Sequence, residues 1–383
     1  MNSGCDLAVA GAGPVGLALA LAGVEAGFTV RVLDRAAPTV SDAEERRYYA
    51  LSPASVAWLR SLGAGDALRD ACPYSHMTVW ENDPRHGLEF DAGDVGRAEL
   101  GWIVGHGALL GTLLRRLPSQ VLCAGAELVS MQRQARGLTL QCAGGLQLRA
   151  RLAVAADGAE SSLRRLSGLV AVGWDYDQLG LVANVRPQRS HRHTAWQRFL
   201  PSGPLALLPL ADGRCSIVWS ADSSLAKSLL TLDDGAFAQR LTEASQSRLG
   251  EIVAVGPRLA FPLRLRHAPL YAADGIALVG DAAHVVHPLA GQGLNLGLAD
   301  ATALIETLVE ARTVGRCWHA ARQLERYSRM RKADTLRMMA LTDALVRLYR
   351  TDNALFKILR REGLGLVGQI RPLRTFLARQ ASL

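Results

Sequence analysis

Three short segments carry residues whose types and spacing could do chemistry. The first is Gly11-Ala12-Gly13-Pro14-Val15-Gly16. Gly11 would allow a tight turn after a strand, Gly13 would let backbone approach a pyrophosphate, and Gly16 would let a helix pack closely on the strand. The unpaired N–H groups and positive end of that helix favour phosphate. Asp34 follows Gly16 by 18 residues and closes the next apolar run, where a carboxylate can accept hydrogen bonds from ribose hydroxyls. The motif points to a dinucleotide without separating FAD from NAD.

The second segment is Ala155-Ala156-Asp157-Gly158-Ala159, with Ser161 and Arg164 beyond it; taken alone it is an ordinary strand-to-helix turn. The third runs Gly280-Asp281-Ala282-Ala283-His284, then His287-Pro288-Leu289-Ala290-Gly291-Gln292-Gly293-Leu294-Asn295. Asp281 at a strand end can bond a polyol hydroxyl. Gly291 and Gly293 expose backbone N–H groups ahead of a helix, a place suited to the negative charge of a reduced flavin. His284 is expected to brace its turn, and His287 is the candidate to contact a substrate or relay a proton.

These segments need elements that bring them together. Residues 6–10 read as a strand, 14–26 as a buried helix and 28–33 as a second strand, a βαβ unit. A helix is expected around 107–117, and short strands at 120–123, 127–132, 138–142 and 146–156. A long β-rich region follows over roughly 176–268, where Trp196, Phe199 and the 201–209 segment are expected to line the substrate side. Residues 276–279 return the chain to a parallel strand, and the sequence is helical in character from 293 onward. The pattern predicts an α/β protein with a Rossmann-like cofactor domain that is discontinuous, over 1–73, 98–175 and 270–318. A mostly antiparallel β-sheet substrate domain is inserted over 74–97 and 176–269, and the C-terminal region, 319–383, is helical.

Composition narrows the classes. Of 383 residues 49% are hydrophobic, which excludes a disordered chain. The six cysteines form no CxxC pair or zinc-ligand spacing, so reduced thiols and no metal are expected. The uncharged stretch 7–24 lacks a basic flank and holds Gly11, Gly13, Pro14 and Gly16, against a signal peptide or membrane span. Net charge is +8, and the segment 322–379 alone carries 14 basic against 5 acidic residues. Arg326, Arg329, Arg331, Lys332 and Arg337 alternate there with apolar residues at helical spacing, as on a solvated helix face or one drawn to anionic lipid or an acidic partner. No nucleic-acid-binding signature accompanies the charge, so nucleic acid is not an expected partner.

The whole chain resembles the FAD-dependent hydroxylases of ubiquinone biosynthesis, within the p-hydroxybenzoate-hydroxylase-like class A flavin monooxygenases. The resemblance is carried by RRYYALSPAS, DYDQLGLVANV, RFLPSGPLALLPLADGRCSIVWS, LVGDAAHVVHPLAGQGLNLGLADA and ERYSRMRKAD. It implies bound FAD, with NAD(P)H and O2 as co-substrates and ring hydroxylation through a flavin C4a-hydroperoxide. Gly11, Gly13, Gly16 and Asp34 would bind the ADP half of FAD, and Arg47 would sit beside the flavin or pyrophosphate. Leu128 would offer backbone to adenine, Asp157 would serve the pyrophosphate and the use of the nicotinamide cofactor, and Asp281 the ribityl chain. Pro288, Gly291, Gly293 and Asn295 would lie around the isoalloxazine. The family's Glu-Asn is replaced here by Gly105-His106.

The substrate implied is a lipophilic prenylated phenol, and the segment 75–90 resembles members acting at the early 2-polyprenylphenol stage. The expected location is the cytoplasm, with peripheral contact at the inner face of the membrane or with a ubiquinone-biosynthesis complex through the basic helices. Homo-oligomerisation is compatible with the resemblance. Two other readings stand beside this one: a class A hydroxylase of a soluble aromatic, and a non-enzymatic flavin-holding subunit of a biosynthetic complex. A plain NAD dehydrogenase leaves the third segment without a role.

Overall fold

The computed structural model describes residues 4–40, 47–83, 87–135, 137–273, 275–287 and 291–350. One sheet is built from β1 (Gly4–Ala10), β2 (Val30–Asp34), β8 (Leu122–Ala124), β9 (Leu128–Gln134), β10 (Gly137–Cys142), β11 (Gln147–Ala155), β18 (Ala272–Ala273) and β19 (Ile276–Leu278). Its order is β18-β19-β11-β1-β2-β8, with the β9–β10 hairpin continuing antiparallel from β11. Strands β1, β2, β8, β11 and β19 run parallel. Ala10 pairs with both Leu33 and Ala155, and Ala155 with Leu278. This register brings four strand ends level, so the segments after residues 10, 33, 155 and 278 emerge along one edge. Ligands of open parallel sheets bind outside that carboxyl edge.

Helix α1 (Pro14–Glu25) is apolar nearly all round and buried from Gly16 to Gly23, as a helix must be when sheet and other helices cover it. It packs on α3 (His106–Arg116) and α7 (Gln292–Thr313). A small sheet of β3 (Tyr48–Leu51), β7 (Gly101–Gly105) and β4 (Cys72–Tyr74), with α2 (Pro53–Ser61), sits beside them. Helix α4 (Ser162–Leu166) follows β11.

The second large sheet holds β5 (His76–Trp80), β6 (Leu88–Asp91), β12 (Val172–Pro187), β13 (Thr194–Leu200), β14 (Gly203–Pro209), β15 (Cys215–Asp222), β16 (Ile252–Val255), β17 (Leu259–His267) and β20 (His284–Val285). Its pairings are antiparallel except β5 with β13. Two helices within the β-rich region, α5 (Ser223–Thr231) and α6 (Asp234–Ala244), were not expected from the sequence pattern. They cover one face, with Phe237 and Leu241 of α6 fully buried against Leu181, Ile217 and Trp219. Asp233 accepts a hydrogen bond from Ala236 N–H at 2.7 Å, an N-cap that marks where α6 begins.

The opposite face packs toward the small sheet and the last helix. Phe199, Leu210, Leu263 and Leu265 form a core there with Ala50, Ile103 and Met339. The expected pairing of Trp196 with Phe199 on the substrate side is corrected. Residues three apart on a strand point to opposite faces, and Trp196 packs with the α5/α6 core, its ring under Arg248 at 4.6 Å.

Met339 belongs to α8 (Ala321–Arg350), which reaches from one sheet to the other. Strand β20 also joins them: it follows the first-sheet strand β19 closely in sequence, yet pairs with β17 of the second sheet. His284 lies opposite His267 in this pair. His267 is buried, its Nε2 makes no hydrogen bond among the described residues, and burial, then His284 and Lys332, push its imidazole down from 6.5 to about 4. The unfolded chain therefore takes up a proton near 6.5 that the folded chain refuses until about pH 4, so acid favours unfolding in this window. Urea midpoints should fall between pH 7.5 and pH 5, and fall less in His267→Gln; an equal fall in both proteins would contradict this assignment.

Candidate functional site

Glycine geometry at the carboxyl edge separates two jobs. At Gly11, φ is +103°, and a Cβ would lie 2.4 Å from the Ala156 carbonyl oxygen; at Gly16 it would lie 2.1 Å from the Gly11 carbonyl oxygen. Both are glycine because protein backbone leaves no room. Gly13 and Gly293 differ, since a Cβ at either would meet nothing within 4 Å. Gly13 caps α1 and Gly293 lies in the first turn of α7, so the space in front of both belongs to two helix N-termini. Gly297 of α7 approaches Gly280 and Val15 so closely that a Cβ would sit 2.8 Å from Val15 Cγ2. That contact brings α7, the turn after β19 and the start of α1 to one point.

The carboxylates occupy the same rim. Asp34 accepts from Ala12 N–H at 2.7 Å and Ala36 N–H at 3.1 Å, which pins the glycine loop and leaves lone pairs for a further donor. Leu128 opens β9 just beyond Ala126, whose N–H donates to the Asp34 carbonyl at 2.7 Å. Asp157 uses Oδ2 to accept from Ser162 and Leu163 N–H at 2.7 and 3.2 Å, while its buried Oδ1 has no hydrogen-bond partner among the described residues. An acceptor of this kind implies something not supplied by the protein. Asp281 is exposed on this rim. Desolvation there raises its carboxyl above the ordinary range, against the opposing pull of His284 and Arg47.

Arg47 is thus brought to Asp281 from a distant part of the chain. Its carbonyl accepts from His106 N–H at 2.8 Å and its guanidinium lies 5.7 Å from the Tyr49 ring centre. His106, half of the Gly105-His106 departure, pairs its Nδ1 with the Tyr49 hydroxyl at 3.0 Å, so the altered dipeptide borders this cluster. Asn295 is buried; its Oδ1 accepts from Ser52 N–H and the Ser55 hydroxyl, and its Nδ2 donates to the Ala50 carbonyl. It ties the start of α7 to β3 and α2. Gly291 has φ +66° beside Ala50. His287 is fully buried with Tyr176 edge-on to its ring. Pro288 lies outside the described residues, as does 351–383 of the basic tail.

Two residues bind the second and third segments into one unit. Buried Arg164 donates to the Ala282 and Ala159 carbonyls, both at 2.7 Å. Asp300 of α7 is wholly buried, accepting from Gly280 N–H at 3.0 Å, pairing with His284 Nε2 at 2.6 Å and with Arg331 Nε at 2.8 Å. Burial pushes the Asp300 carboxyl up, but His284 and Arg331 outweigh it and hold the group below the ordinary range. His284 does brace its turn. Arg331, expected on a charged surface, is instead an interior cation; Arg326 and Arg329 pair with Glu310 and Glu325. Asp300 had a signal in the sequence: it is a lone acid in the apolar run 294–305, where an ionised side chain needs a buried partner. Among the described residues no cluster could hold a metal ion, and no helix is long and apolar enough to cross a membrane.

An open pair of helix N-termini, a strand-end acid and an unsatisfied buried carboxylate oxygen fit a dinucleotide with a polyol-linked ring, and define a flavin-holding oxidoreductase. The chain belongs to the FAD-binding-domain family, whose model matches residues 4–342. It is 36% identical over 371 residues to the 3-demethoxyubiquinol 3-hydroxylase of Escherichia coli, covering 95% of this chain and 94% of that one. It is also 36% identical over 382 residues to the ubiquinone hydroxylase UbiL of Rhodospirillum rubrum, covering 98% and 89%. The human ubiquinone biosynthesis monooxygenase COQ6 is 30% identical, covering 96% and 90%. In solved structures the fold matches p-nitrophenol 4-monooxygenase of Pseudomonas putida, with TM-score 0.80, 20% identity and coverage of 99% and 98%. It also matches Klebsiella pneumoniae HpxO complexed with FAD and uric acid, with TM-score 0.78, 18% identity and coverage of 97% of each chain. The chain is an FAD-dependent monooxygenase.

The glycine geometry predicts a split between two substitutions. Gly13→Ala should melt within a few degrees of the native protein yet bind FAD about tenfold or more weakly, whereas Gly16→Ala should be destabilised with or without FAD. Thermal melts and a flavin titration check this; a Gly13→Ala protein with native FAD affinity would refute the open-cradle reading.

Proposed function

We propose that this chain hydroxylates the aromatic ring of a polyprenylated phenol in ubiquinone synthesis, with NAD(P)H and O2 as co-substrates. The observation that carries the reading is near full-length identity to ubiquinone hydroxylases, combined with a cradle whose open sites match FAD. In this reading the N–H groups at Gly13 and the start of α1 face the pyrophosphate, Gly11 and Gly16 shape the turn and the helix contact behind it, and Asp157 Oδ1 takes a donor at that end. Asp34 takes the adenosine ribose and the backbone at Leu128 borders the adenine. Asp281 takes the ribityl hydroxyls, with Arg47 opposite it. Gly291 and Gly293 present N–H groups to the ring, Pro288 lies along it, and Asn295 keeps α7 in place. Bound FAD supplies the redox chemistry with NAD(P)H and O2.

The protein's part is to bind, orient and exclude water. The sheet face turned toward the cradle is apolar, with Phe199 and Leu263 buried and Leu208 partly so, and Leu210 and Met338 of α8 extend the same cluster. Such a wall suits a prenylated ring, which favours the lipophilic substrate over the soluble one. In this reading His287 is the side chain that meets the substrate ring.

For the ring position we favour the early 2-polyprenylphenol stage, on the 75–90 segment. The name of the Escherichia coli relative favours a second reading, a demethoxyubiquinol. Exposed Met330, Leu336 and Leu341 share α8 with Arg329 and Arg337, which supports peripheral contact with an anionic membrane; salt-sensitive co-sedimentation with anionic but not neutral vesicles checks it. For the reaction itself, cells lacking the enzyme should stop making quinone and regain it with this chain, and mass analysis of the accumulated precursor should show a polyprenylphenol. Accumulated demethoxy precursor selects the second position. An unaltered quinone pool, with purified protein that consumes NAD(P)H on p-hydroxybenzoate, rejects both.

A further inference from the structure

Both histidines of the third segment are gripped from α8, but by different means. His284 is held through Asp300 and Arg331. His287 is reached through Tyr176, and the backbone around Tyr176 is unusual. On β12, Asp175 pairs with Arg264 of β17, yet the next pairing is Leu179 with Pro262. The strand therefore carries two more residues than its partner over this stretch. Asp177 takes up the irregularity with φ +54°, left-handed backbone that a non-glycine residue adopts at a cost. Bulges re-aim side chains, and they gather beside functional sites.

Tyr176 is the side chain re-aimed. Its ring meets His287 edge-on, with centres 5.2 Å apart and planes at 87°. Its hydroxyl donates to Asp343 Oδ1 of α8 at 3.1 Å, and Asp343 Oδ2 accepts from Arg347 Nε at 2.7 Å. Arg347 in turn lies 5.7 Å from the ring centre of Trp174, which touches Tyr176 edge-on. Tyr176 is 8% exposed and His287 fully buried, so neither ring has much freedom once this chain of contacts is made. Burial and the Asp343 carboxylate push the Tyr176 hydroxyl well above the ordinary phenol range, which keeps it a donor.

We propose that Tyr176 is a positioning residue for the reaction: it sets the orientation of the His287 imidazole on the substrate side of the cradle, and Asp343 with Arg347 hold Tyr176 in that pose. The inference rests on the reading that the cradle holds FAD and that His287 faces the substrate. It gives the bulge at 175–179 a purpose, and it gives α8 a role in chemistry beyond packing. An edge-on aromatic contact is too weak to fold the protein but strong enough to select one ring orientation.

The test uses the full chain loaded with FAD, with two readouts: the visible circular dichroism of the bound flavin, and the fraction of NAD(P)H oxidised that yields hydroxylated phenol instead of hydrogen peroxide. Tyr176→Leu removes both contacts and should shift the dichroism and lower the hydroxylated fraction by about tenfold. Tyr176→Phe keeps the ring and should fall between it and the native protein. Asp343→Asn still offers an acceptor oxygen and should behave as native, whereas Asp343→Leu should match Tyr176→Phe. Joining Asp343→Leu to Tyr176→Phe should add no further loss, since both cut one link. If Tyr176→Leu does not fold, the Phe and Asp343 variants decide. Native dichroism and native coupling in Tyr176→Phe and Asp343→Leu, with the Leu variant also native or unfolded, overturn the proposal. Native protein that binds FAD and hydroxylates no phenol rejects the assigned reaction instead, and the dichroism still decides the role of Tyr176.

Discussion

A single buried carboxylate organises this molecule. Asp300 sits in α7 with no exposure, and it accepts at once from the backbone of Gly280, the ring of His284 and the guanidinium of Arg331. An isolated carboxylate at such depth would be very costly, so its three donors are compulsory. They come from the turn after β19, the start of β20 and the middle of α8. Removing any one leaves the others with an uncompensated charge or donor, at about 3–5 kcal/mol for a broken buried ion pair. The turn that carries Asp281 is therefore fixed from behind, and its front is free to face a ligand.

The rest of the cradle follows from register. Parallel pairing sets the ends of β1, β2, β11 and β19 level, which brings Gly11, Asp34, Asp157 and Asp281 to one edge from positions up to 270 residues apart. Arg164 ties two of those segments by their carbonyls, Asn295 ties α7 to the Arg47 strand, and Gly297 lets α7 touch the first glycine loop. Strand β20 then hands the chain to the second sheet within a few residues of the flavin turn. The apolar face of that sheet and the cradle thus share one hinge of backbone, and α8 clasps both sides of it.

Much of this was legible because backbone geometry restricts residue type. A tight turn from strand to helix leaves glycines at fixed spacing, and strands that end at a binding edge leave acids, so the meeting of Gly11, Gly13, Gly16, Asp34 and Asp281 at one edge could be read from the chain alone. Partnerships across distance left weaker marks. Arg331 reads as one of many surface cations, because nothing local reveals that Asp300, 31 residues earlier, waits for it. Trp196 reads as a pocket residue because aromatic content was visible and strand face was not. Helices α5 and α6 are short enough that the flanking strands mask their period, although the Asp233 cap and the Phe237/Leu241 spacing were there to be read. Tyr176 depends on a bulge, which shifts register without any signature in composition.

The central claim is that these dispersed residues assemble one flavin site for inserting oxygen into a prenylated ring. The most direct measurement is turnover of the FAD-loaded protein with NAD(P)H and a short-chain prenylphenol under 18O2 in ordinary water. The account predicts a ring-hydroxylated product carrying one 18O atom. A product whose new oxygen comes from water, or oxidation of NAD(P)H that yields only peroxide with every prenylphenol offered, would contradict it.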